Sequence, residues 1–326
     1  MEKKYILLLM LLLIIIISIC LIYRNNNKED TDIKVKYPIY EYYKLNKVIT
    51  ENINYYLKDN IDNYYFLYID YKDYEYNYVH TVTNFEPNNK QDLLNIFYTI
   101  LNNGWTTFQF YCNPDYKDCY NDINYITKES EDLSIINNMV NPFNSYKYLT
   151  FEVSSLGKVT VNIQKLYTDD EINYVNEQMD KIIDEIITDD MTTKEKIKAF
   201  HDYVINMLSY DTSLNIEENG SNKAYGALIN KKAVCSGYSD LMAIFLDRLG
   251  IKNYKIINDE HVWNLLYLDE KWQHIDLTWD DPTTFNGKPI LIHDFFLIDT
   301  SELERISNKL KNNQHVFDKN IYIEAK

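Results

Sequence analysis

Glycine is scarce in this chain, with seven in 326 residues, and cysteine (four), proline (six), histidine (six) and tryptophan (four) are no more frequent. Four cysteines are too few for a disulfide-built scaffold, so the fold must rest on a hydrophobic core. No internal repeat recurs, and so little glycine and proline excludes collagen-like or low-complexity organisation. Lys and Arg gather into no stripe and the net charge is −16, so the electrostatic footprint that nucleic-acid binding requires is missing. What is present suits an ordered globular protein: 46% of residues are hydrophobic and 31 are tyrosines. A chain of this length exceeds what one core usually organises, and two domains are expected.

The first 30 residues are of a different kind. "YILLLMLLLIIIISICLIY", residues 5–23, is apolar apart from Ser18 and Cys20 and approaches the roughly 20 residues that span a bilayer. Leu21, Ile22, Tyr23 and Arg24 follow where a cleaved signal peptide would carry small residues, and Ile19 stands where a lipoprotein site wants one. The segment therefore reads as a retained membrane helix at 1–30. Lys3 and Lys4 on one side balance Arg24 and Lys28 on the other, so the short amino-terminal tail decides the orientation: a single pass through the cell membrane with residues 31–326 outside the cytoplasm.

"NNNKEDTDIKVK" suits a stalk. Beyond it the pattern predicts a helix near 41–59, strands at 64–70 and 76–84, and a helix in "NNKQDLLNIFYTILNNG" closed by Gly104. A strand "WTTFQFYC", a polar helical region near 116–140 and strands at 147–153 and 158–166 complete a small α+β sandwich over 31–190. Its lone histidine, His80, reads as structural, and no catalytic constellation is visible in it. Cys112 and Cys119 close a short loop, either as a local disulfide outside the cytoplasm or as two reduced thiols. Helices at 168–188 and from Thr192, where Thr192 and Glu195 have capping-box spacing, lead into a second domain, 191–326.

Four of the seven glycines, Gly220, Gly226, Gly237 and Gly250, and three of the four tryptophans, Trp263, Trp272 and Trp279, crowd into 220–279. In "VCSGYSDLMAIFLDRLG", Leu241, Met242, Phe245, Leu246 and Leu249 recur at helical spacing and Gly250 ends the run, which puts Cys235 at a helix N-terminus. Unsatisfied backbone N–H groups there favour the thiolate, a nucleophile, and can hold an oxyanion. Gly237 leaves room for a close approach.

A nucleophilic thiol needs a base, and the base an orienting group. "HVWNLLYLDEKWQHIDLTWDDP" reads as a hairpin turning at Asp269 and Glu270, with His261 opposite Thr278 and Trp263 opposite Asp276. His261 and Asp276 are then diagonal neighbours, ~7–8 Å apart at Cβ and within hydrogen-bonding reach of one another. Cys235 attacks, His261 moves the proton and Asp276 orients the imidazole; His274, on the same face, is the second choice of base. Trp263, Trp272 and Trp279 read as hairpin packing, and Asp280 and Asp281 as shaping the turn before Pro282.

These three blocks, "VCSGYSDLMAIFLDRLGI", "HVWN" and "WQHIDLTWDDP", resemble the transglutaminase-like superfamily, whose core is related to papain-like cysteine peptidases. The resemblance runs from about Thr192 to the C-terminus. It implies an α+β catalytic domain with a Cys235, His261 and Asp276 triad, and acyl transfer on a protein or peptide substrate without metal or organic cofactor. Tyr210, Ser236, Gly237, Tyr238 and Trp263 are its oxyanion or substrate candidates. "IINDEH" lacks the glycine often found before the histidine in this family, and "DFFLIDTSELERI" and His315 resemble the structural tail of bacterial members. A peptidase or amidase acting on cell-wall peptide is the alternative enzyme, and a non-catalytic surface binding module the alternative of another class.

Overall fold

The computed structural model describes residues 78–128, 131–154, 157–213, 215–282 and 290–326. The expected anchor, stalk, helix at 41–59 and strand at 64–70 lie outside these residues. Among the described residues no helix is long and apolar enough to cross a membrane.

Helix α1, Lys90–Asn102, starts where Asn89 accepts from the Asp92 N–H and is followed by Gly104 at φ 65°. Leu93, Phe97 and Ile100 on its predicted face are fully buried, and the polar Asn95 and Thr99 are buried too. These two explain why residues 78–84 form no strand, contrary to expectation. The His80 N–H donates to Asn95 Oδ1 (3.2 Å) and the Val82 N–H to Thr99 Oγ1 (2.9 Å), so side chains rather than a neighbouring strand satisfy the segment.

After α1 come β1 (Thr107–Tyr111), α2 (Cys119–Lys128) and α3 (Glu131–Met139), then β2 (Tyr146–Val153) and β3 (Lys158–Lys165). The polar region near 116–140 is thus two helices. β3 lies between β1 and β2 in an antiparallel sheet, and a disulfide between Cys112 and Cys119 ties the end of β1 to the start of α2.

Helices α4 (Asp169–Ile186) and α5 (Thr193–Met207) both begin in capping boxes, Thr168 with Glu171 and Thr192 with Glu195. A two-stranded parallel ladder of β4 (Ser209–Tyr210) and β5 (Lys232–Ala233) encloses α6 (Ile216–Asn219) and α7 (Ala224–Asn230). α8 (Cys235–Arg248) follows at once. The antiparallel sheet β6 (Asn253–Ile257), β7 (Val262–Leu268), β8 (Lys271–Ile275) and β9 (Phe296–Ile298) precedes α9 (Thr300–Leu310). Asp269 and Glu270, at φ 52° and 62°, make the two-residue turn, and Leu268 pairs with Lys271 through Asn264 with Ile275 in the predicted register. β8 ends at Ile275, however, and 277–280 form a turn, so the expected pairs Trp263 with Asp276 and His261 with Thr278 do not form.

This sheet is buried on both faces. Leu266, Leu268 and Ile275 join α4, α5, α7 and α8 in one apolar cluster, while Ile256, Trp263 and Leu265 join α1, α2, α3, β1 and β3 in the other. The buried clusters therefore cross residue 190 rather than part there. Within α8, Asp240 accepts from Lys255 Nζ of β6 (2.5 Å) and from the Tyr167 hydroxyl (2.6 Å), which pins the helix to the sheet through a buried charge that is fully paired.

Candidate functional site

The N-terminus of α8 is set by backbone alone. Its N-cap is Val234, extended at φ −96° and offering no side-chain acceptor, so the first-turn N–H groups gain no side-chain cap. The Val234 N–H donates to the Ser221 carbonyl (3.0 Å), and a Cβ at Gly237 would lie 2.5 Å from that same oxygen. Glycine at 237 therefore serves a backbone contact inside the protein. Gly237→Ala is expected to destabilise the fold by about 1–3 kcal/mol, the usual cost of overpacking, measurable as a lowered denaturant midpoint.

Cys235 is a free, half-buried thiol and the first residue of α8. His261, just before β7, is buried, and its Nε2–H donates to Asp276 Oδ2 at 2.5 Å. The β7–β8 ladder stops at Asn264 and Ile275, and the Asp276 N–H turns to the Phe295 carbonyl (3.1 Å). That break in the ladder carries Asp276 out of the regular strand and under the imidazole. Nε2 is committed to Asp276, and Cys235 lies near enough for its charge to act on the same imidazole.

Burial works against a charged His261, but the Asp276 carboxylate outweighs it, and with Cys235 it raises the imidazole to about 10. Burial likewise opposes ionisation of Asp276, yet the charge and hydrogen bond of His261, with His315, hold its carboxyl far below the usual range. Every lone pair is engaged: Oδ1 accepts from the Thr278 and Trp279 N–H groups (2.9 and 3.2 Å), and Oδ2 accepts from His261 and from His315 Nε2 (2.9 Å). The carboxylate is an anion fixed by four donors.

His315 was expected to be a structural tail residue; it is instead the second imidazole on the Asp276 carboxylate. Its Nδ1 meets the Ser307 hydroxyl at 3.1 Å, and the rings of Phe295, Trp279 and Trp263 surround it. The contact spans 39 residues, and no local spacing points to it.

The remaining candidates separate. Tyr210 lies beside the site, since it pairs with Ala233 two residues before Cys235 and remains 37% exposed. Burial first, then the charges of Cys235 and Asp276, raise its phenol. Ser236 is half-buried in the same helical turn. Tyr238 is not available as an oxyanion donor: it is buried, its hydroxyl donates to Asp281 Oδ2 (2.6 Å), and burial and that carboxylate push the phenol far up. Trp263 is not a substrate surface either. It is 1% exposed, stacks on His261 with centroids 5.7 Å apart, and donates from Nε1 to His274 Nδ1 (3.1 Å).

That bond also removes His274 as a base. Its Nδ1 lone pair accepts from Trp263, its Nε2–H donates to Thr300 Oγ1 (3.0 Å), and burial, with His315, lowers it to about 3. Asp280 and Asp281 anchor their turn inward, on His201 and Tyr238.

Residues 180–277, which include Cys235, His261 and Asp276, match the family described as the transglutaminase-like superfamily, so the chain carries a transglutaminase-like domain within its α+β fold. No curated protein matches the chain significantly. Among solved structures it is similar to a TGase (18% identity, 41% of this chain and 44% of the other, TM-score 0.32). It is also similar to a candidate cysteine protease from Cytophaga hutchinsonii (13% identity, 44% and 65%, TM-score 0.27) and to menin (15% identity, 64% and 40%, TM-score 0.29). The matched part of this chain thus spans less than half the length of the TGase. These superpositions are partial, and the assignment rests on the family match.

Proposed function

We propose that the protein is a membrane-anchored cysteine acyltransferase or hydrolase that acts on glutamine carboxamides or peptide bonds. The observation that carries this reading is the His261 imidazole, bound through Nε2 to Asp276 and interacting with the Cys235 thiol at a helix N-terminus. Cys235 Sγ attacks the carbonyl carbon while first-turn N–H groups of α8, with Tyr210 at the rim, face the developing oxyanion. His261 delivers its proton to the departing nitrogen, which leaves as ammonia or an amine and gives a thioester. An amine or water, deprotonated by His261, then attacks the thioester and releases the sulfur. An amine gives a cross-link; water gives deamidation or cleavage.

Incubation with a glutamine peptide, with and without an amine donor, followed by mass spectrometry distinguishes amine addition, ammonia loss and chain cleavage. Failure to see any of the three on glutamine or cell-wall peptides, with Cys235 no more reactive than an ordinary thiol, would leave the binding-module alternative standing.

His315 acts in this scheme as a positioning residue that fixes the Asp276 carboxylate. His315→Ala is expected to lower kcat about tenfold with KM unchanged, the scale on which a small misplacement of a reacting group is felt. His315→Gln, which retains a donor, is expected to recover most of the loss, whereas equal losses in both variants would mark the residue as packing only.

The anchor at residues 5–23 and the boundary at 30 belong to the same proposal, and 190 divides the chain in sequence only, since both buried clusters span it. A local disulfide at Cys112 and Cys119 suits an oxidising compartment and supports placing residues 31–326 outside the cytoplasm.

A further inference from the structure

The side chains of His201, Asp202 and His293 meet beside Asp280. His201 and Asp202 are consecutive residues of α5, and His293 lies in the segment entering β9. Asp202 Oδ1 is 2.9 Å from His201 Nδ1 and 2.7 Å from His293 Nε2, and the three atoms lie within 4.8 Å of one another. We propose that these residues form a divalent transition-metal site, with Zn2+ as its best-matched ion, that staples α5 to the segment entering β9.

The atoms behind each ligand carry the argument. A metal-bound imidazole normally gives its other N–H to a carboxylate, and a metal-bound carboxylate has its second oxygen hydrogen-bonded. His201 Nε2 lies 3.1 Å from Oδ2 of Asp280, a fully buried carboxylate, so with an ion bound Nε2–H has its acceptor and Nδ1, on the Asp202 side, is left to the metal. Asp202 Oδ2 is held by Lys198 Nζ at 2.5 Å, which leaves Oδ1 to the histidines. Asp280 is itself fixed, accepting from the Phe295 N–H at 3.0 Å.

Two imidazole nitrogens with one carboxylate oxygen suit zinc, whereas calcium and magnesium prefer oxygen-only sets. With bonds of ~2.0–2.1 Å in a tetrahedron, ligand atoms stand roughly 3.3 Å apart, so the two observed separations need to open by about half an ångström. Half-exposed Asp202 and His293 give an ion access, while the buried His201 anchors it. The other trio of this composition, His261, Asp276 and His315, is wholly buried and already spent on the hydrogen bonds described above.

The test is titration of the chelator-treated full-length chain with ZnCl2 alone, read by equilibrium dialysis and melting temperature, with Co2+ absorption reporting the coordination geometry. One Zn2+ per chain is expected, with a raised melting temperature and no competition from Ca2+ or Mg2+. Cys235→Ser and His315→Ala are expected to bind as the wild type does. His293→Ala, which alters a half-exposed side chain, is expected to weaken binding by at least about 100-fold, and Asp280→Asn by about 10–100-fold. No stoichiometric Zn2+, binding that survives His293→Ala, or binding that disappears with Cys235→Ser would each overturn the site.

Discussion

Cys235→Ala is expected to lower kcat/KM by about 10⁴-fold or more while the chain stays folded. The size follows from what the sulfur does in the proposed scheme: it forms and later breaks the only covalent link to the acyl group, and removal of a nucleophile leaves only the catalysis that oxyanion donors and binding supply. Folding is expected to be nearly untouched. Cys235 is half-buried at a helix start, makes no disulfide, and its backbone placement comes from Val234, Ser221 and Gly237 rather than from its side chain. Steady-state kinetics on the glutamine peptide, together with a denaturant melt, check both halves of the expectation. His261→Ala should resemble it in rate, because the two groups act as a unit and their losses do not add.

The second large effect belongs to Asp276→Asn and is a change in pH dependence as well as rate. In the wild type, burial lowers the His261 pKa and the Asp276 charge more than reverses this, so the imidazolium persists to about 10. A raised histidine pKa contributes stability that is complete below the unfolded value of roughly 6.5 and is lost as pH rises through about 10. The depressed Asp276 carboxyl contributes stability present above roughly 3.9 and lost as pH falls through its folded value. The pair is therefore strongest between those limits.

Asparagine removes the charge but not the burial, so the alkaline limb of kcat/KM is expected to move from near 10 to below neutrality. At pH 8 the proton donor is then mostly absent, and a fall of at least about tenfold follows, since each pH unit past the pKa costs about tenfold. A pH–rate profile checks it: an alkaline limb left in place by Asp276→Asn would show that the aspartate does not govern the imidazole.

Much of the site was legible because its signals are local. The helical run that places Cys235 at an N-terminus, the two-residue turn at Asp269 and Glu270, and the hairpin register that follows from it are all short-range patterns, whereas His261 and Asp276 meet beyond the end of that ladder. The structure reproduces the turn and the register. What the sequence hid is long-range. His315 reaches Asp276 across 39 residues, His201 reaches Asp280 across 79, and neither spacing has a periodic signature. Trp263 reads as hairpin packing, which its burial matches, whereas for Tyr238, an oxyanion candidate by its place near the nucleophile, only the tertiary structure shows a hydroxyl already held by Asp281. The expected strand at 76–84 fails in its described part for a related reason, since Asn95 and Thr99 of a helix take the N–H groups that a neighbouring strand would have paired.

The claim on which all of this turns is that Cys235 becomes acylated. Brief incubation with a glutamine peptide at limiting amine, acid quench, digestion and mass spectrometry would read it directly. The proposed chemistry requires the peptide acyl group on the Cys235 fragment, released by hydroxylamine and missing in His261→Ala. Turnover of the peptide with Cys235 never acylated, or undiminished in Cys235→Ala, would contradict it.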